Sequence, residues 1–367
     1  MYFFYNFEIN FIINIYKIKV IINTNMLKFL RYLLLINYAI TIADAFIVSP
    51  SPFNDWFAID FVKNIDKKKP FAFNVGELPL VAWFPEENKP MSTINVCKHM
   101  GSSLDHGSVK NGCLHCPYHG LAHDSKDVFG KTMIYQDKLW WSYEPKNEKP
   151  PSIPFYNNKK YQTTFITVDI NANIVDCAFN TMDINHPAHV HNNIFGFGSN
   201  IPPKDISVIS YPKEQQKIGL TFSYKSNSNL IHLKRKLKAS KNFHIYDYPY
   251  TTWSRVSLPT NEHLIVNVNL LPLEPNKTRW LVTLKHNFWN HHEFEKYLMK
   301  FTAYCILFQD KYQLDRQVRE SALKKLMMYQ VKIPNDDLLN DMKDLFKNYK
   351  FPDEKHVLDL YKYHIQD

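Results

Sequence analysis

The stretch Cys97 to Gly120, CKHMGSSLDHGSVKNGCLHCPYHG, constrains this chain more than any other. It holds two short pairs, Cys97-x-His99 and Cys116-x-x-His119, separated by residues 100 to 115. That is enough chain for a hairpin that returns the second pair opposite the first. Two thiolates and two neutral imidazoles on facing loops suit a [2Fe-2S] cluster with the thiolates on one iron and the imidazoles on the other. Exchanging thiolate for imidazole removes negative charge and raises the reduction potential. The competing reading is a zinc site built on Cys113-x-x-Cys116 with neighbouring histidines, because zinc takes the same ligand types at such spacings.

The second pair ends in Tyr118-His119-Gly120, and the first is followed by Leu104 and Gly107. With these residues the block resembles the Rieske domain of Rieske-type non-haem iron oxygenases, from roughly Trp56 to Tyr143. The resemblance implies Cys97, His99, Cys116 and His119 as cluster ligands and leaves Cys113 spare. Leu121 departs from the tryptophan that many of these oxygenases carry after the His-Gly pair, which bears on packing beside the cluster.

A chain of 367 residues with 45% hydrophobic content buries far more than one small electron carrier needs. Its five cysteines (97, 113, 116, 177 and 305) are too scattered for a disulfide framework, which points to a reducing compartment. The net charge of +9 is spread along the chain, with one cluster at Lys234-Arg235-Lys236 and Lys238, and no nucleic-acid partner is expected.

Residues 1–50 read as a targeting presequence. From Met26, an alternative start to Met1, Lys28 and Arg31 precede an apolar run from Tyr32 to Ile42, and small residues follow at Ala43 and Ala45 before Phe46. This resembles the bipartite presequences of secondary plastids, and a plastid location is expected. The alternative is an N-terminal membrane anchor, although the run is shorter than a span of about 20 residues.

Residues 51–146 are expected to form the Rieske domain. Phe57, Ile59 and Phe61 alternate in a strand, Gly76 breaks a second strand region from Phe71 to Phe84, and Lys126 to Tyr143 supplies closing strands with Trp140 and Trp141 packed inside. The Pro- and Lys-rich run 144–154 reads as a linker.

A second chemical centre follows the linker, in Asp183-x-x-His186-x-x-x-x-His191. Two histidines and a carboxylate on one face of an iron leave positions open for dioxygen and substrate. His189 competes for the ligand role, and Pro187 predicts that a helix carrying Asp183 ends at His186, out of helical geometry. The segment resembles the mononuclear iron motif of Rieske oxygenases, with Asn180 three residues before the aspartate. Carried over by position, His186 and His191 become iron ligands, and Asp183 the bridge between one subunit's cluster and its neighbour's iron.

Within the expected catalytic domain, 155–331, strands are predicted at Ile206–Tyr211, Ile218–Tyr224, Phe243–Leu258, His263–Leu271 and Arg279–Lys285. A helical pattern then runs from His291 to Gln330, with Phe294, Leu298, Phe301, Cys305, Phe308 and Tyr312 at helical spacing. The expected class is α+β: an antiparallel Rieske domain followed by a helix-grip (START-like) domain, in which a curved antiparallel sheet wraps a long helix. On that helix Gln309-Asp310-Lys311, with Gln317 beyond, resembles the family's late acidic motif; Asp310 is expected to complete the iron site, with Asp315 as competitor. Residues 332–367 read as a charged helical extension.

The resemblance implies a terminal oxygenase with a mononuclear Fe(II) beside the cluster and dioxygen as co-substrate. It also implies electrons from a ferredoxin or an NAD(P)H-dependent reductase, and a homotrimer. The nearest branches are those of chlorophyllide a and pheophorbide a oxygenases and of vanillate demethylases. Tetrapyrroles, sterols and small aromatics are all compatible with a flat apolar substrate. Plant members of the first branch end in apolar anchoring segments, whereas this sequence ends YKYHIQD. The alternative function is a non-catalytic Rieske redox protein of plastids, which needs no second iron site.

Overall fold

The computed structural model describes residues 51–191, 203–212, 215–224, 240–257, 262–288, 293–317 and 337–366. All of these residues but Ser51 lie in one compact unit, Pro52–Asp367. The presequence, the Lys234–Lys238 cluster and the end of the 291–330 helical pattern fall outside the described residues.

The first half of the unit is three small antiparallel sheets. β1 (Phe57–Phe61), β9 (Lys138–Ser142) and β8 (Lys131–Tyr135) form one; β2 (Phe71–Val75), β3 (Leu78–Glu86) and β4 (Lys89–Ile94) another; β5 (Ser108–Lys110), β6 (Cys113–His115) and β7 (Ala122–His123) the third. The third is the hairpin predicted between the two Cys/His pairs. Trp140 and Trp141 are buried as expected, and Trp141 packs on Phe53, Phe57 and Phe129.

The second half is a seven-stranded antiparallel sheet in the order β10-β16-β15-β14-β13-β12-β11. It is built from β10 (Gln162–Ile170), β11 (Lys204–Ile209), β12 (Lys217–Tyr224), β13 (Ser240–Asp247), β14 (Thr251–Ser257), β15 (His263–Glu274) and β16 (Lys277–His286). β10 lies outside the predicted strands, and the predicted run Phe243–Leu258 is two strands that reverse at Tyr248-Pro249. The reason is local: proline has no N–H for a ladder and fixes φ, so a run through Pro249 turns instead of extending.

Side chains directly opposite in an antiparallel ladder share a face, so the register sorts this sheet. On one face lies the row Leu220, His244, Ser254, Val266 and Leu284. That face meets α1 (Ile174–Met182): Thr252, in the next row, donates to the Met182 sulfur at 3.7 Å. The opposite face meets the cluster-bearing half, where Phe165 packs on Phe61 and Asn267 accepts a hydrogen bond from Lys138 Nζ at 2.9 Å.

Lys138 is fully buried at that junction, and burial pushes its ammonium from the ordinary 10.5 down to about 7, against the pull of Asp137. The unfolded chain therefore holds this proton up to about 10.5 and the folded chain only up to about 7, so stability rises with pH across that window. We expect Lys138→Met to flatten this rise, which spans a few kcal/mol. Urea unfolding at about pH 6 and about pH 9 reads it; an unchanged slope would show that Lys138 is not its source.

α3 (Glu293–Leu314) packs along β10 and against α1. The predicted ring stripe is not its buried face: Phe294 is 71% and Phe301 67% exposed, and Phe308 and Tyr312 are also exposed. Met299, Ala303, Leu307, Asp310 and Leu314 turn inward instead. Both stripes have helical spacing, and the inner one shares its phase with Asp310, whose carboxylate meets two histidines. α4 (Asp337–Phe346) and α5 (Glu354–Gln366) complete the chain. Phe346 packs on Phe179 and Tyr246, and the Pro352 carbonyl accepts from the Glu77 N–H at 2.9 Å, so the extension straps both halves.

Candidate metal centres

The two cluster loops are structural twins. In the first, the Cys97 N–H donates to the Ser102 carbonyl and the Gly101 N–H to the Cys97 carbonyl; in the second, Cys116 donates to Leu121 and Gly120 to Cys116. Each loop closes through a glycine four residues after its cysteine, at φ +73° for Gly101 and +71° for Gly120. That region is costly for any residue with a Cβ.

The twin loops bury Cys97 and Cys116 (3% and 4% exposed) and leave the rings of His99 and His119 exposed with centroids 4.8 Å apart. The two thiols are within hydrogen-bonding reach of each other. Burial raises the Cys116 thiol, but the backbone N–H groups of Tyr118 and His119 and the Cys97 and Ser102 side chains outweigh it and bring the thiol below its ordinary value. Paired buried sulfurs under N–H donors, with paired exposed imidazoles, fit a [2Fe-2S] cluster held by Cys97, His99, Cys116 and His119. Cys113 sits on β6, outside the twin loops, with its sulfur turned to the Asn111 carbonyl, which argues against the zinc reading built on it.

The second centre joins three elements. Asn173 caps α1, accepting from the Asp176 N–H at 2.8 Å, and the helix ends with Asp183 as its C-terminal cap. Asp183 Oδ1 then accepts from the N–H groups of Asn185 (2.8 Å) and His186 (3.4 Å). His186 stands immediately before the short helix α2 (Pro187–Val190) at φ −58°, ψ −33°. This corrects the reading of Pro187: the histidine is helical, held by the Asp183 carboxylate on one side and by N–H bonds from His189 and Val190 to its carbonyl on the other. One turn of α2 places His186 and His191 on the same side and sends His189 to solvent.

His186 Nε2 and His191 Nε2 lie 3.4 and 3.2 Å from a single oxygen, Asp310 Oδ1. Ligand atoms of His186, His191 and Asp310 all fall within 4.8 Å of one another, the spacing of a small-ion site. Burial raises Asp310, but hydrogen bonds from both imidazoles overcome it and hold the carboxyl at about 2. His191 Nδ1 meets Gln309 Oε1 at 2.9 Å, and a proton on that nitrogen leaves Nε2 free as a ligand. His186 Nδ1 is buried without a hydrogen bond, 3.8 Å from Asp183 Oδ2. Asn180 approaches Asp310 Oδ1 at 3.5 Å.

Asp315 lies apart from this centre. It accepts from the Asn171 N–H at 2.9 Å and pairs with Lys311 at 2.8 Å. Gln309 stands in the sequence motif without a role of its own; its signal is adjacency to Asp310 on a helix whose inner face meets histidines.

Residues 55–132 match the family model described as Rieske [2Fe-2S] domain. Among curated relatives, the oxygenase component of dicamba O-demethylase from Stenotrophomonas maltophilia is 24% identical over 160 residues, covering 38% of this chain and 47% of the relative. Chloroplastic chlorophyllide a oxygenase from Arabidopsis thaliana is 24% identical over 174 residues, covering 42% and 32%. The chain thus spans less than half the length of these relatives. Among solved structures, dicamba monooxygenase bound to 3,6-dichlorosalicylic acid superposes with a TM-score of 0.67 at 15% identity, over 81% of this chain and 97% of that one. NdmA of Pseudomonas putida CBB5 with caffeine gives 0.67 at 14%, over 80% and 89%. With its Rieske [2Fe-2S] domain followed by a sheet-rich domain, this chain has the fold of the Rieske-type non-haem iron oxygenases.

Proposed function

We propose that the chain is the terminal oxygenase of a Rieske system, acting on a flat apolar substrate. The observation that carries this reading is the convergence of His186 and His191 on Asp310 Oδ1. A pure electron carrier has no need of that arrangement. Residues 51–146 form its electron-carrying part, 155–331 its catalytic part and 332–367 a strap, while 1–50 direct it to a plastid. A chloroplastic relative supports that location. Among the described residues no helix is long and apolar enough to cross a membrane.

In this reading Cys97, Cys116, His99 and His119 hold the cluster, and His186, His191 and Asp310 hold the mononuclear iron. When bound, the cluster supplies single electrons and the iron supplies the chemistry of dioxygen activation. Gln309 fixes the His191 ring, and Asn180 holds the Asp310 carboxylate from the α1 side. Leu220, Val266 and Leu284 make the α1-facing side of the sheet largely apolar, a surface suited to a flat apolar ligand.

Asp183 is 31% exposed, and Val96, Met100 and Tyr118 surround the cluster loops with exposed apolar surface. These features support a homotrimer in which one subunit's cluster loops cover its neighbour's Asp183. A ferredoxin or an NAD(P)H-dependent reductase is the electron donor. Relatives named for chlorophyllide a and for dicamba support ring substrates, a chlorophyll-type tetrapyrrole first and small aromatics second.

Anaerobically purified protein is expected to hold about three irons and two acid-labile sulfides per chain. It is also expected to consume dioxygen with reduced ferredoxin when given a tetrapyrrole, a sterol or an aromatic methyl ether. About two irons with two sulfides, and no substrate-dependent uptake, would make it a redox carrier instead.

A further inference from the structure

His244 stands on β13 in the row that faces α1, between Leu220 of β12 and Ser254 of β14, with its ring edge-on to Phe222 at 4.9 Å. None of the roles assigned above uses it. Burial, with a smaller contribution from His186, holds the ring down to about 3, so it is neutral throughout the working range. Yet the residue keeps accessible surface. Thr252, on the same face of the sheet, meets Met182, four residues before His186, so this face turns toward the metal ligands.

The two ring nitrogens differ. Nδ1 is enclosed with no hydrogen-bond partner, whereas Nε2 is not among the enclosed atoms and makes no hydrogen bond among the described residues. A neutral imidazole carries one proton, and an enclosed N–H with no acceptor is rarer in folded proteins than an under-used acceptor. The proton therefore belongs on Nε2, the nitrogen that is not enclosed. The surrounding row is apolar at Leu220, Val266 and Leu284, with Phe222 beside it, and polar at Ser254. His244 and Ser254 are thus the polar members of this row, and His244 Nε2 is a donor without a partner among the described residues.

We propose that His244 Nε2–H is the specificity contact of the catalytic pocket, donating a hydrogen bond to a neutral oxygen on a flat apolar substrate and so choosing which edge of the ring system faces His186, His191 and Asp310. The inference rests on the oxygenase reading, because it places the substrate between the sheet and those ligands. It restricts the substrate class to ring compounds with a carbonyl, ether or phenol oxygen, and it disfavours pure hydrocarbons. A pocket that leaves a donor unpaired rejects the analogue lacking the acceptor.

The test uses two probes of nearly the same shape, indan-1-one and indane, titrated calorimetrically into anaerobic, cluster-loaded full-length protein. Wild type is expected to bind the ketone about tenfold more tightly than the hydrocarbon. His244→Leu should lose that preference while still binding indane, and His244→Gln, which keeps an N–H donor, should restore part of it. Equal affinities in wild type, no binding of either probe, or a preference that survives in His244→Leu would overturn the proposal. Iron and sulfide measured on the same samples separate the two failures. A missing third iron defeats the oxygenase reading, whereas a full metal complement without ketone preference defeats only the role of His244.

Discussion

Replacing Asp310 with alanine is expected to strip the mononuclear iron from the protein while leaving the two irons and two sulfides of the cluster in place. The carboxylate is the shared neighbour of both histidines, at 3.4 Å from His186 and 3.2 Å from His191. It also supplies the only negative charge within the three-residue ligand group. Groups that merely orient a ligand cost 10–100-fold on removal, and loss of a ligand should exceed that, so substrate-dependent dioxygen uptake should fall by more than about 100-fold.

Asp310→Asn retains the shape without the charge and should fall between the two. Asp315→Ala serves as the control, since Asp315 is engaged by Asn171 and Lys311 and should leave the iron content untouched. An Asp310→Ala protein that keeps its third iron would return the ligand role to another carboxylate. Changing pH does not imitate the mutation: with its carboxyl held at about 2, Asp310 is anionic at every pH the protein works in. In the iron-free protein, the stability it contributes is complete above the ordinary 3.8 and is lost as pH falls through about 2.

The two centres differed in how far they could be read from sequence, and the difference is one of contact range. All four cluster ligands lie within 97–119, on loops whose hydrogen bonds are local, so residue type and spacing almost specify the geometry. The iron site instead joins residues 186 and 191 to a carboxylate 119 positions after the second of them. Only the fold brings them together, and the choice between Asp310 and Asp315 was a question of helix phase. Phase also misled the reading of α3, where two stripes with the same spacing compete and the more aromatic one faces outward. Pro187 argued against a helical His186, but the Asp183 side chain supplies a local acceptor that a propensity argument does not count. β10 escaped notice although Ile166, Val168 and Ile170 alternate with Thr167 and Asp169, because only these five of its nine residues carry the pattern and its ladder partner β16 lies over a hundred positions away. His244 carried no signal at all: a single histidine in a strand acquires meaning only from the row it occupies.

Asp183→Asn is expected to uncouple the two centres without dismantling either. The amide oxygen can still accept from the Asn185 and His186 N–H groups, so the turn that presents His186 survives. What disappears is the charge that faces His186 Nδ1 across 3.8 Å and remains 31% exposed on its other side. A carboxylate in that position can bond one imidazole of its own chain and a second brought by a neighbour, which gives an electron a short polar route between them. The expected result is an unchanged iron and sulfide content, a cluster that is still reduced by the donor, and a 10–100-fold slower reoxidation of that cluster by dioxygen in the presence of substrate, followed by stopped-flow absorbance. If Asp183 does no more than orient His186, iron content and turnover should fall together, and the iron that remains should reoxidise the cluster at the wild-type rate. Slow reoxidation with full iron occupancy would identify Asp183 as the link between the centres; proportionate losses would reduce it to a positioning residue for His186.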